Sequence, residues 1–189
     1  LVSANPPGDE TDDVARLSHL NEPAMLSLIE QRYAQKTIYT SAGPVLVAMN
    51  PFESMEDTLY APAVLAKYQG PRSIEAPPPH VFEVAWLAYD AMLGRVRGKE
   101  GAQAIVVNGE SGAGKTETAK LITRYLTTTA TGADAIGAAI KASLLASAPV
   151  LESFGNAKTG RNNNSSRFGK LMKLMFTQDG SLVGGVIEH

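Results

Sequence analysis

The sequence predicts an α/β fold, a mixed β-sheet flanked by helices, and three neighbouring stretches carry that reading. Ala104-Ile105-Val106-Val107 is a short apolar, partly β-branched run of the sort found in a strand buried on both faces. After it, Thr118, Leu121, Ile122 and Tyr125 recur at helical spacing. Between them lies Gly109-Glu110-Ser111-Gly112-Ala113-Gly114-Lys115-Thr116, so the local order is strand, glycine-rich turn, helix. With 189 residues, 44% of them hydrophobic and 19% charged, the chain reads as globular and long enough for a sizeable core.

The remaining elements follow along the chain. Residues 1–16 read as a loose amino-terminal arm, because Asn5-Pro6-Pro7-Gly8-Asp9-Glu10-Thr11-Asp12-Asp13 is polar and rich in turn formers; residues 17–189 form the body. Asn21 is an N-cap with Pro23 in the first turn, and Leu26, Ile29 and Tyr33 then fall on one helix face. Ile38-Tyr39-Thr40 and Val45-Leu46-Val47-Ala48 flank Ser-Ala-Gly-Pro, a hairpin that Pro51 ends. Pro77-Pro78-Pro79 stops what precedes it. Val81, Val84, Ala85, Ala88, Tyr89, Met92 and Val96 then trace a long amphipathic helix, with Trp86 beside the stripe, and this is core. Thr127 to Gly137 is small and polar and reads as a flexible surface loop before a helix through Ile136, Ile140 and Leu144. Alternation over Arg167 to Phe176, a turn at Gln178-Asp179-Gly180 and resumption at Leu182-Val183 predict a second hairpin.

Bulk properties exclude some classes. A formal net charge of −2 and no basic run interleaved with aromatics give no electrostatic case for nucleic acid. The absence of cysteine rules out disulfides and thiolate sites, and His19, His80 and His189 share no ligand spacing. No apolar run reaches the ~18 residues of a membrane span, and the amino end lacks a signal-peptide pattern, so a cytoplasmic protein is the default expectation. The chain begins at Leu1 rather than Met and reads as a fragment or a processed product.

Residues 109–116 fit G-x-x-x-x-G-K-[ST], the phosphate-binding P-loop. With glycine at ~7% of average composition, a chance match over this length falls below about 1%. Glycines let backbone N–H groups converge on phosphate oxygens, Lys115 adds a mobile positive charge, and the Thr116 hydroxyl can ligate Mg²⁺. The helix that follows sets its positive end against the phosphates. Glu110 and Glu117 beside the loop suit dipole partners better than general bases. Glycines at 109, 112 and 114 do not follow the dinucleotide pattern G-x-G-x-x-G.

A second constellation, Asn162-Asn163-Asn164-Ser165-Ser166-Arg167-Phe168-Gly169-Lys170, lies about fifty residues downstream. Small hydroxyl and amide side chains followed by an arginine suit a loop that closes over a γ-phosphate. By itself it would be a hydrophilic turn before a strand.

Gly109 to Lys120 and Asn162 to Lys170 resemble the phosphate loop and first switch of the myosin motor head, and Leu151-Glu-Ser-Phe-Gly-Asn-Ala-Lys158 resembles the segment leading into that switch. Leu20-Asn-Glu-Pro-Ala24, Ile38-Tyr-Thr40 and Val47-Ala-Met-Asn-Pro-Phe52 stand in the order seen before a myosin phosphate loop, so the likeness runs from about Leu17 to His189. It implies a P-loop NTPase-like mixed sheet, truncated before the second switch, that binds ATP with Mg²⁺. Asn50 and Pro51 would form the purine-binding edge with Tyr60 as neighbour. Gly109, Glu110, Ser111, Gly112, Ala113, Gly114, Lys115, Thr116 and Glu117 would surround the phosphates, Lys115 bridging the β and γ groups. Thr116 and Ser166 would supply hydroxyls to Mg²⁺. Asn162 and Ser165 would contact the γ-phosphate or its attacking water, the serine relaying a proton, and Arg167 would form the salt bridge of the closed state. Glu53 and Ser54 depart from the family, where many members carry basic residues after Asn-Pro-Phe.

The resemblance implies ATP hydrolysis coupled to actin filaments, through head surfaces mostly outside these residues, with light chains or calmodulin on an absent lever and a cytoskeleton-associated location. Two other classes stay open: a P-loop kinase, for which no acceptor site is legible, and a nucleotide-binding scaffold or pseudo-motor without hydrolysis.

Overall fold

The computed structural model describes residues 11–70, 77–130, 135–160 and 162–188. It divides into two compact units, Leu1–Val84 and Ala85–His189.

In the first unit, Asp13 caps a 3₁₀ turn Val14–Arg16. Its carboxylate accepts from the N–H of Ala15 at 2.9 Å and of Gly43 at 3.0 Å. Those two donors hold the Asp13 carboxyl below the usual carboxylate range. Of the arm expected over residues 1–16, the first ten lie outside the described residues, while Thr11–Arg16 is tied down: Asp13 bridges Ser41, and Val14 is buried with Leu17 and Leu28. Helix α1, Glu22–Ala34, starts where Asn21 Oδ1 accepts from Ala24 N at 3.0 Å, with Pro23 in its first turn. Strands β1 (Tyr39–Ala42) and β2 (Val45–Ala48) form the expected hairpin, Tyr39 opposite Ala48 and Ala42 opposite Val45. Arg32 of α1 joins helix to hairpin, donating to Thr40 Oγ1 and to the Tyr39 carbonyl, each at 2.9 Å. Helix α2 is Pro62–Lys67. Tyr39, Tyr60, Tyr68, His80 and Phe82 then make an aromatic cluster, with the His80 ring stacked on Tyr68 at 4.9 Å.

Helix α3, Val81–Met92, buries Val81, Ala85 and Tyr89 of the predicted stripe and Trp86 beside it, but Val84, Ala88 and Met92 are only half-buried, while Phe82 and Ala91, which lie off the stripe, are buried too. It stops before Val96, because Gly94 turns the chain at φ +70°.

In the second unit, helix α4 is Lys115–Ala130 and helix α5 is Ala135–Gly155. The surface loop expected over Thr127 to Gly137 is therefore overturned at both ends, since Thr127–Ala130 belongs to α4, with Thr127 fully buried, and Ala135–Gly137 belongs to α5; residues 131–134 lie outside the described residues. A buried threonine is tolerated there because its hydroxyl donates to the Thr123 carbonyl at 2.8 Å. After α5 come two short strands, β3 (Asn156–Ala157) and β4 (Ser165–Ser166), which pair antiparallel. Strands β5 (Leu171–Phe176) and β6 (Leu182–Glu188) form the second hairpin. Met172, Leu174 and Phe176 turn to the more buried face, and Leu174 and Phe176 join Tyr89, Ala130, Leu144 and Leu182 in the core. The Tyr89 hydroxyl donates to the Gly180 carbonyl at 2.8 Å, fixing the hairpin turn on α3.

Among the described residues the sheets are three separate two-stranded antiparallel pairs, and the larger mixed sheet expected from the sequence is not formed. Ala104–Val107 is the clearest departure. It has no strand partner among the described residues, and Val106 is 86% exposed. An apolar run becomes a strand only when its backbone groups pair with a neighbour, and no described strand lies alongside this one.

Candidate functional site

The glycine loop leads straight into α4. Gly112 and Gly114 sit at φ +86° and +93°, which strains any residue with a side chain. Ala113 N donates to the Glu110 carbonyl at 3.2 Å, and Thr118 N donates to that of Gly114 at 2.9 Å, so the turn passes directly into the helical ladder. Helix α4 thus directs the positive end of its dipole at the loop. Lys115 Nζ donates to the carbonyls of Gly109 and Glu110 at 2.7 and 2.8 Å, which puts its charge over the loop backbone. Glu117, in the first turn of the helix, is exposed and receives Lys120 Nζ at 2.9 Å. Lys120 also meets Glu152 of α5 at 3.2 Å. Burial works against the Lys120 charge, but the two carboxylates outweigh it and raise its pKa.

The second loop follows β3 and includes the two residues of β4. Asn162 shapes it: its Oδ1 accepts from Asn164 N at 2.9 Å, and its carbonyl accepts from Thr159 N at 2.8 Å. Ser165 is buried and its Oγ lies 3.0 Å from Ser111 Oγ. Ser166 Oγ lies 3.4 Å from Thr116 Oγ1. Two hydroxyls of one loop therefore face two of the other, in the order the sequences run. Arg167 is exposed and forms no ion pair with a described residue; its backbone N–H donates to the Gly155 carbonyl at 2.9 Å.

Behind the paired loops lies a cavity of about 540 Å³, its wall mostly apolar. Ile105, Val107, Thr116, Ser166, Phe168 and Leu174 are among the residues around it.

Asn50, Pro51 and Tyr60 belong to the first unit. Asn50 Oδ1 accepts from Phe52 N at 2.9 Å, and its carbonyl accepts from the Tyr33 hydroxyl at 3.2 Å. The Tyr60 and Tyr39 hydroxyls are 2.9 Å apart. Glu53 pairs with Lys36, whose pKa its carboxylate raises.

The site has supports that the motifs did not single out. Glu152 braces α4 through Lys120, and Gly155 and Phe168 pack together at the root of the second loop. Both Glu152 and Gly155 fall within Leu151–Lys158, so the segment was legible while its role was not.

Helices and short sheets that bring a glycine loop against a hydroxyl-bearing loop define the class, and sequence comparison makes it specific. The profile of the myosin head (motor domain) matches residues 11–189, and the chain belongs to that family. It is 48% identical to Myosin-3 of Arabidopsis thaliana over 189 residues, which is all of this chain and 15% of that protein. It is 45% identical to Myosin-4 and 47% identical to Myosin-1 of the same plant, again over 189 residues, or 16% and 15% of those proteins. The chain thus spans about one sixth of the length of these relatives.

Proposed function

We propose that this chain carries the phosphate-binding half of an ATP-hydrolysing, actin-based motor, arranged as in P-loop NTPases. The observation that supports it best is the facing of Ser111 and Thr116 by Ser165 and Ser166, at 3.0 and 3.4 Å.

The Thr116 and Ser166 hydroxyls suit Mg²⁺ as neighbouring neutral oxygen donors. Two oxygens bound side by side at ~2.1 Å in an octahedron stand about 3 Å apart, so the Thr116–Ser166 pair, 3.4 Å apart, would close by a few tenths of an ångström on binding the metal. Both donors are neutral, and no cluster of three acidic, histidine or cysteine side chains occurs among the described residues, so the metal would arrive with phosphate oxygens and water as its other ligands. Once bound, it would draw negative charge from the β- and γ-phosphoryl oxygens.

The protein's own groups do the rest. The first-turn N–H groups of α4 and the Lys115 ammonium hold the phosphates, the lysine exchanging its carbonyl partners for charged oxygens. Asn162 and Ser165 orient water for in-line attack on the γ-phosphorus, and the Ser165 hydroxyl passes the water's proton to a phosphate oxygen as the β–γ bridging bond breaks. Arg167 locks the closed state by a salt bridge. By the family resemblance, Asn50, Pro51 and Tyr60 would receive the base. Myosin heads act on actin, and actin with light chains or calmodulin are the partners of the whole motor, which would be cytoplasmic and associated with the cytoskeleton. No described helix is long and apolar enough to cross a membrane.

Lys115→Ala in the full-length protein tests the reading. ATP titration should show affinity falling by about tenfold or more, and steady-state turnover should vanish, since a charge-assisted contact worth about 1.5–3 kcal/mol is removed. Unchanged binding and turnover would overturn the assignment.

A further inference from the structure

Gly155 ends α5, and a Cβ built on it would fall 1.9 Å from Cε1 of Phe168 and 2.3 Å from Cδ1. The phenyl ring therefore lies in the space a side chain would fill. Glycine is required here for close approach, because its backbone is not in the left-handed region. Phe168 stands two residues after Ser166 and three after Ser165. Next to the contact, Arg167 N donates to the Gly155 carbonyl at 2.9 Å, and Asn156 pairs with Ser166 across β3 and β4. Gly155, the last residue of α5, thus grips the second loop by ring contact and hydrogen bond, and Asn156, the first residue of β3, adds the strand pair. The last turn of α5 also holds the phosphate helix, through Glu152 and Lys120 at 3.2 Å.

We propose that Gly155 and Phe168 are positioning residues: the ring seated on the side-chain-free end of α5 sets where Ser165 and Ser166 stand against Ser111 and Thr116. This rests on the proposed nucleotide binding for its consequence, though not for its geometry. The hydroxyl pairs join residues 54 and 50 positions apart, and backbone continuity does not hold such pairs in register. A shift of the second loop by even ~1 Å would carry the Ser166 oxygen beyond the reach of a metal bound at Thr116. Through Glu152 on one side and Gly155 on the other, the end of α5 touches the supports of both loops.

Three variants of the full-length protein test it: Gly155→Ala, which pushes the ring away; Phe168→Ala, which removes the ring and introduces no clash; and the double substitution. Two readouts are used. The first is hydrogen exchange of the Ser165–Arg167 amides without nucleotide, and the second is the Mg²⁺ concentration giving half-maximal ADP binding, with ADP affinity measured separately in EDTA. Each single variant should exchange faster at these amides and need about tenfold more Mg²⁺, with metal-free ADP affinity unchanged. The double variant should be no worse than Phe168→Ala, since a Cβ at 155 has no ring left to displace. Wild-type exchange and Mg²⁺ dependence in Phe168→Ala, or additive losses in the double variant, would overturn the proposal. If Gly155→Ala fails to fold, Phe168→Ala decides the question by itself. Lys115→Ala separates the two levels: ADP affinity unaffected by that change sinks the nucleotide reading, whereas lost affinity there beside a wild-type Phe168→Ala sinks only the positioning role.

Discussion

His80 offers a quantitative test of how the first unit is held. Its ring is 3% exposed, between Tyr39, Tyr68 and Phe82. Nδ1 accepts from Phe82 N at 3.1 Å, so the neutral ring carries its proton on Nε2 and donates to the Leu59 carbonyl at 3.2 Å. Burial lowers its pKa from 6.5 to about 4, against a smaller opposing effect of the Leu59 carbonyl. The neighbouring tyrosines stay neutral throughout this range: burial pushes the Tyr68 hydroxyl up to about 12 and that of Tyr39 higher still. Between pH 6.5 and 4 the unfolded chain binds a proton that the folded chain refuses. Stability from this group is therefore complete above pH 6.5 and is lost as pH falls toward 4. The gap of about 2.5 pH units, at ~1.4 kcal/mol each, amounts to about 3 kcal/mol. That is a large share of a typical total stability of about 5–15 kcal/mol. His80→Asn keeps an acceptor for Phe82 N–H at the start of α3 and abolishes the titration. Urea unfolding of both chains followed by circular dichroism at pH 7 and pH 4 should show the wild type losing about 3 kcal/mol more than the variant. Carboxylates titrate equally in both chains and cancel. Equal losses would refute the claim that the buried neutral imidazole supports this fold.

Three further outcomes follow from particular contacts. Gly180→Ala should cost about 2 kcal/mol in urea unfolding, because its Cβ would meet the Tyr89 hydroxyl at 2.4 Å and its φ of +92° strains alanine; a change below about 0.5 kcal/mol would contradict the packing. Val106→Ser should change stability by less than about 0.5 kcal/mol, since the side chain is 86% exposed and its backbone run unpaired among the described residues, and a loss above about 1 kcal/mol would show the residue to be buried in solution. Arg167→Ala in the full-length protein should spare ATP binding and slow hydrolysis in single-turnover kinetics, because its salt bridge belongs to the closed state; weakened binding with a normal hydrolysis step would oppose that role.

Elements whose cause lies within a few residues are legible in the amino-acid sequence itself. Asn21 caps α1 because its own side chain reaches Ala24 N, and the turn glycines at 112 and 114 answer to local backbone angles. The hairpin at 39–48 follows from two β-prone runs that flank turn formers, and the one at 171–188 from alternation broken by a turn. The two loops are likewise readable as motifs, since phosphate chemistry restricts residue type at fixed spacing. Elements that depend on a distant partner are not. Thr127 looks like loop material because its polarity is visible in the sequence and its burial in α4 is not. Ala104–Val107 looks like a buried strand because apolar side chains announce burial, whereas strand identity rests on backbone partners that sequence does not name. His80, in sequence only an isolated histidine, is the acceptor at the start of α3. Composition and motif thus determine which chemistry the loops can offer. Tertiary structure alone decides that Ser165 meets Ser111 across 54 residues, and that Phe168 rests where Gly155 has no side chain, because contacts between distant residues follow the path of the whole chain.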